Sequence, residues 1–172
     1  MGSTRGTARI VVAVVGVVVV AAYAALLAVN ALVLDPLAAV PGATLPQIHA
    51  RIDAAGMSVD GDVRGVVVIA SIGVALAVAA AVVGLAARLP ATVIAVLDLG
   101  VLAAGAVATF ASGFFLGMDV ADTFGTDGGA HTIWSGVLYL TSLAALVAIP
   151  VLFVAMTVRT RNTQRQRRLV AG

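Results

Sequence analysis

Residues Ile10 to Leu34 read IVVAVVGVVVVAAYAALLAVNALVL, an unbroken run without a charged side chain. As a helix at 1.5 Å per residue this run extends about 37 Å, more than the roughly 30 Å of a bilayer's hydrocarbon core. Nothing in it alternates with a period of two, and Gly and Pro do not break it. It reads as a membrane-spanning helix, and the rest of the chain follows the same rule. Three further apolar stretches qualify, at about 65–87, 92–116 and 133–158. The second is uncharged, the third contains Asp98, and the fourth carries Pro150, which removes a helix hydrogen bond and predicts a kink.

Composition agrees. The 172 residues are 62% hydrophobic and 10% charged, with mean hydropathy +1.14. Soluble domains are nearer half apolar and a quarter charged. The excess apolar surface exceeds what a soluble core of this size can bury. The expected fold is therefore all-α: a four-helix membrane bundle forming one domain over 1–172. The chain has no cysteine, which excludes disulfides, thiol redox chemistry and Cys-ligated metals. Every basic residue is Arg and every acidic residue is Asp, a bias that points to a high-GC bacterial source.

Charge placement sets the expected orientation. Arg5, Arg9, Arg88, Arg159, Arg161, Arg165, Arg167 and Arg168 fall at one end of the bundle. The opposite end holds Asp35, Asp53, Asp60, Asp62, Asp119, Asp122 and Asp127, with Arg51 and Arg64. The positive-inside rule then puts both termini in the cytoplasm of a bacterial plasma membrane, with outer loops at 35–64 and 117–132. The Arg-rich tail, 159–172, meets anionic lipid headgroups in this reading, and nucleic acid is not expected as a partner. A cleaved signal peptide ending at Ala22-Tyr23-Ala24 is disfavoured, because the apolar run continues to Leu34.

The first outer loop is too long to be a plain connector. Val40-Pro41-Gly42-Ala43 predicts a type II turn. Thr44-Leu45-Pro46-Gln47 predicts a capping-box start, and Gly56 a stop, for a short amphipathic helix with Leu45, Ile48 and Ile52 on one face. In the outer loops, His49 and His131 lie among aspartates and are low-ranking metal candidates, since neither has a recognised spacing to a second ligand.

Asp98 is the most informative single residue. An ionised Asp near a helix centre in lipid costs about 2.5–3.5 kcal/mol, so it must face protein and find a partner or a proton. Arg88, at the same edge, is the expected ion-pair partner. The rival role is a proton-carrying carboxyl. Small residues at four-residue spacing (Gly100, Ala104, Ala108, with Ser112), the Gly113/Gly117 pair and Gly105 predict close helix packing on a central third span. Gly16, Tyr23 and Asn30 share one face of the first span, and Ser135, Tyr139 and Ser142 one face of the fourth. Asn30, Ser71, Thr109, Ser112, Ser135 and Tyr139 fall in the outer half. They serve either as interhelical hydrogen bonds, the default reading, or as the lining of a small cavity open to the outside.

No Walker A, GxGxxG, HExxH or GxSxG motif is present, so no enzyme and no cofactor is expected. Asn30 to Pro36, Val40-Pro41-Gly42 and the Arg tail resemble uncharacterised small four-helix membrane proteins of high-GC bacteria. Four-span junction proteins share the outline only, since their Trp/Cys loop signature is absent. The leading functional expectation is a non-enzymatic accessory or assembly subunit of an envelope complex, with other membrane proteins or a second copy as partner. The alternatives are a small transporter or ion-conducting oligomer using Asp98, and an extracytoplasmic sensor or metal-binding protein.

Overall fold

A computed structural model describes residues 2–170, with side chains described from Gly6 to Val158. The side chains of Arg5, Arg159, Arg161, Arg165, Arg167 and Arg168 lie outside that range. Among the described residues every regular element is helical. In order they are α1 (Gly2–Val29), a π-helical turn (Asn30–Leu34), α2 (Asp35–Ala39), α3 (Leu45–Ala54), α4 (Val59–Ala86), α5 (Ala91–Phe114), α6 (Leu116–Phe124) and α7 (Ile133–Val170). Four helical stretches are long and apolar enough to cross a membrane: Gly6–Ala39, Val59–Ala86, Ala91–Phe124 and Ile133–Val158. Val14, Val18, Val82, Val107, Leu140 and Val154 each present more than half of their surface outward, as a multi-pass membrane protein requires.

The central helix is α5, which packs on α1, α4 and α7, while α7 packs mainly on α5. Its inward stripe of Ile94, Asp98, Leu102, Gly105, Thr109 and Ser112 repeats every three to four residues, the period of one helical face. Two reciprocal notches join α1 to α5. The Asp98 carboxyl sits against Gly16, and the Tyr23 ring sits against Gly105, where a Cβ would lie 2.7 Å from Tyr23 Cζ. The two notches are seven residues apart on both helices, so α1 and α5 run parallel in matching register.

The small residues of α5 divide into two sets. Gly105 makes the close contact expected of it. At Gly100, Gly113 and Gly117 an added Cβ would meet nothing within 4 Å, which corrects the expectation that they mark helix contacts. Gly113 and Gly117 leave open space instead. Ala104 and Ala108 border a groove between α5, α1 and α4.

One end of the bundle is capped. Ile48 and Ile52 of α3 pack with Ala39, Val59, Leu116 and Val120 in a separate apolar layer. Helix α3 begins at the Thr44/Gln47 capping box and ends before Gly56, at φ 85°. Gly42, at φ 86°, occupies the turn before it, and the Ala43 amide donates to the Val40 carbonyl. The 117–132 stretch, expected as loop, instead begins with helix α6. Leu116, Val120 and Phe124 recur every four residues on one face, and Gly125, at φ 65°, ends the helix. Pro150 lies inside α7 without ending it.

Candidate functional site

The capped end contains a cavity of about 350 Å³. It starts from a local fault in the first long helix. Pro36 has no amide hydrogen, so the helical ladder cannot close normally before it. The backbone takes a π turn instead, and the Asp35 amide donates to the Asn30 carbonyl. Such turns often lie at functional sites. Here the turn accompanies a buried Asn30, whose Nδ2 donates to Ser135 Oγ at 3.0 Å. Its Oδ1 accepts from Thr132 Oγ1 at 2.6 Å. The amide thus ties α1 to the start of α7.

Below this lies a second polar junction. Tyr23 Oη is within 2.8 Å of Thr109 Oγ1 and 3.0 Å of Ser142 Oγ, joining α1, α5 and α7. Thr109 lines the cavity, and Ser142 is fully buried behind it. Between the two junctions lies Ser112, a residue of the cavity wall that is 1% exposed and whose buried hydroxyl has no hydrogen-bond partner. Leaving a buried hydroxyl unpaired costs about 1–3 kcal/mol, so a small rearrangement that turned it to a guest would recover that cost.

At the mouth His131 lies between two aspartates. The His131 amide donates to Asp35 Oδ1 at 2.8 Å. Its ring nitrogens stand 3.7 Å from Asp35 Oδ2 and 3.4 Å from Asp127 Oδ1. Gly128, Gly129 and Ala130 of the same loop form part of the cavity wall. Phe110, Phe114, Leu27, Leu138 and Met118 supply apolar lining, and among the described residues no Arg lines it.

Five of the six outer-half polar residues converge here: Asn30, Thr109, Ser112, Ser135 and Tyr139. Ser71 does not. It lies on an outward groove between α1 and α4. Tyr23 is the residue whose reach across three helices the face assignments did not show. The metal candidates part ways. His131 sits between aspartates at the mouth, while His49 Nε2 is buried and unpartnered on α3. Among the described residues no group of three His, Cys, Asp or Glu side chains is placed to hold a metal ion.

Asp98 lies away from the cavity. It is 4% exposed, and neither carboxylate oxygen has a hydrogen-bond partner. The expected pair with Arg88 is not formed. Arg88 is exposed, at φ 54°, in the turn that closes α4, where the Leu89 amide donates to the Gly84 carbonyl. Its side chain therefore belongs to the turn surface, whereas Asp98 points into the α1 interface.

Comparison of the chain with family models, curated proteins and solved structures gave no match.

Proposed function

We propose that this chain is a small, non-enzymatic solute transporter of a bacterial plasma membrane, with both termini cytoplasmic, taking up a small neutral or cationic polar solute from the outside. The observation that carries this reading is the convergence of Asn30, Thr109, Ser112, Ser135 and Tyr139 on one cavity, with the Ser112 hydroxyl buried and unpaired in its wall. Pockets for small molecules have about this volume and this mixture of apolar wall and few fixed polar groups. Among the described residues the lining has amide and hydroxyl groups and one acid, Asp35, but no Arg, so anions are disfavoured. The Arg distribution supports placing the capped end, with α3 and α6, outside.

A second reading, an assembly subunit, draws on the α1–α4 groove. Ala21, Ala25, Ala28, Ala75 and Ala79 line it around Ser71. Small residues of this kind admit a neighbouring transmembrane helix.

Two measurements test the proposal. On this cysteine-free chain, single Cys residues at Ser58 and Thr126 label with an impermeant thiol reagent in intact cells, and one at Thr163 only after permeabilisation. Labelling of Thr163 in intact cells overturns the orientation. A thermal-shift panel of polyols, sugars, amides, small amines and small carboxylates tests the cavity. A neutral or cationic member raises the Tm of the wild type and not of Ser112→Phe. No shift from any member, or a shift from carboxylates alone, removes the transporter reading.

A further inference from the structure

Asp98 is buried, on the far side of the Tyr23–Thr109–Ser142 junction from the cavity. Beneath that junction Val20, Leu102 and Ala145 pack with Ala77 as an apolar plug, no member of which lines the cavity. Tyr23 stands on the cavity side of the plug and Gly16, against which Asp98 sits, on the other, seven residues and about 10 Å apart along α1. Ala13, Ala81 and Ile94 form the next apolar cluster toward the Arg-rich end. The carboxyl occupies a notch against Gly16 that a single methyl group would close.

The surroundings hold nothing to neutralise a carboxylate. On α1 the nearest ionisable groups are Arg9 and Tyr23, each seven residues from Gly16. Helix α4 has none between Arg64 and Arg88, and α7 none between Tyr139 and Arg159. On α5 itself Asp98 stands alone. A bound metal cation requires several oxygen ligands. No polar side chain lies within hydrogen-bonding distance of either Asp98 oxygen. A proton is then the only counter-charge this pocket accommodates. A carboxylate without its proton would need water, and water reaches the notch only if α1 and α5 separate.

We propose that Asp98 is a proton-binding site, and that releasing its proton loosens the α1–α5 contact that keeps the apolar plug beneath the cavity closed. This rests on the reading of the cavity as open to water. Protonated, the carboxyl is a neutral group that packs into Gly16, and the plug stays closed. Ionised, it draws water between the helices, and Val20 on α1 parts from Leu102 on α5. Proton release thereby opens the way between the cavity and the opposite half of the bundle, which is the coupling a proton-linked transporter needs. The carboxyl O–H bond breaks and the proton passes to water, leaving a carboxylate and a hydronium ion; no other bond changes.

The test uses the whole protein reconstituted in lipid, with the proton as the only ligand. Infrared spectra should show a protonated-carboxyl carbonyl band that is lost in Asp98→Asn and that declines in the wild type as pH rises. A carboxylate that is ionised throughout, or a band that never titrates, overturns the proposal. The second readout is the rate at which a small water-soluble thiol reagent labels Ala145→Cys, a plug position. The ratio of that rate with Asp98 to the rate with Asp98→Asn cancels the thiol's own pH dependence. It should rise severalfold from acid to alkaline pH, while Ala130→Cys at the mouth labels alike in both backgrounds. A flat ratio overturns the coupling. Because no solute is used, failure of the solute panel with a rising ratio removes the transporter and leaves the proton site. A flat ratio beside a positive panel removes the coupling and leaves the transporter.

Discussion

Replacing Gly105 by alanine adds one methyl group at the point where α5 receives Tyr23. The new Cβ would stand 2.7 Å from Tyr23 Cζ and 2.8 Å from both Cε1 and Oη. A flexible side chain would move aside, but this ring is held at its tip by Thr109 and Ser142 on two different helices. Either α1 and α5 spread, or the ring swings and both hydroxyl contacts break. Overpacking of this kind costs about 1–3 kcal/mol. Interhelical hydrogen bonds within a membrane average about 0.6 kcal/mol each, so losing two costs a similar amount. Against this, alanine is favoured over glycine within a helix by about 1 kcal/mol. With the ring anchored, the upper part of the overpacking range applies, leaving Gly105→Ala destabilised by about 1–2 kcal/mol net. Gly113→Ala on the same helix meets nothing within 4 Å and should be neutral or stabilised. Reversible unfolding in mixed detergent micelles reads both variants. In a double-mutant cycle, Tyr23→Leu should relieve part of the Gly105→Ala cost, because the two residues are in contact. Equal stabilisation of both glycine variants would refute the notch and, with it, the α1–α5 register.

Other outcomes follow from the same packing. A double-mutant cycle of Asp98→Asn with Arg88→Gln should show coupling within about 0.5 kcal/mol of zero, since no ion pair joins them; a larger favourable coupling would restore the ion-pair account. Ile52→Ala, at a fully buried position of the capping layer, should cost about 2–4 kcal/mol in the same unfolding assay. Ala50→Ser, on the exposed face of α3, should change little, and equal effects of the two would mean that α3 does not dock.

Four apolar runs, the α3 capping box, the Gly42 turn and the Gly56 stop were legible in the sequence because each depends on local chemistry. Run length is set by bilayer thickness, and a cap or turn by residues within four positions of one another. The polar faces of the first and fourth spans were legible for the same reason, since helical period alone aligns Tyr23 with Asn30 and Ser135 with Ser142. Helix α6 was missed because its aspartates made a half-apolar segment look like loop, and only burial of Leu116 and Val120 against α3 reveals its inner face. Which faces meet is a different kind of question. Gly105 and Gly113 are chemically identical, yet one receives a tyrosine and the other opens a cavity, because rotation of α5 against α1 sets what lies opposite each. Arg88 and Asp98 are near in sequence, one a basic and the other an acidic residue. The turn after α4 turns the arginine outward and α5 turns the carboxyl inward. Local sequence determines helices and their polar stripes, whereas the partner of each stripe depends on side chains up to about 120 positions away, as Tyr23 and Ser142 show.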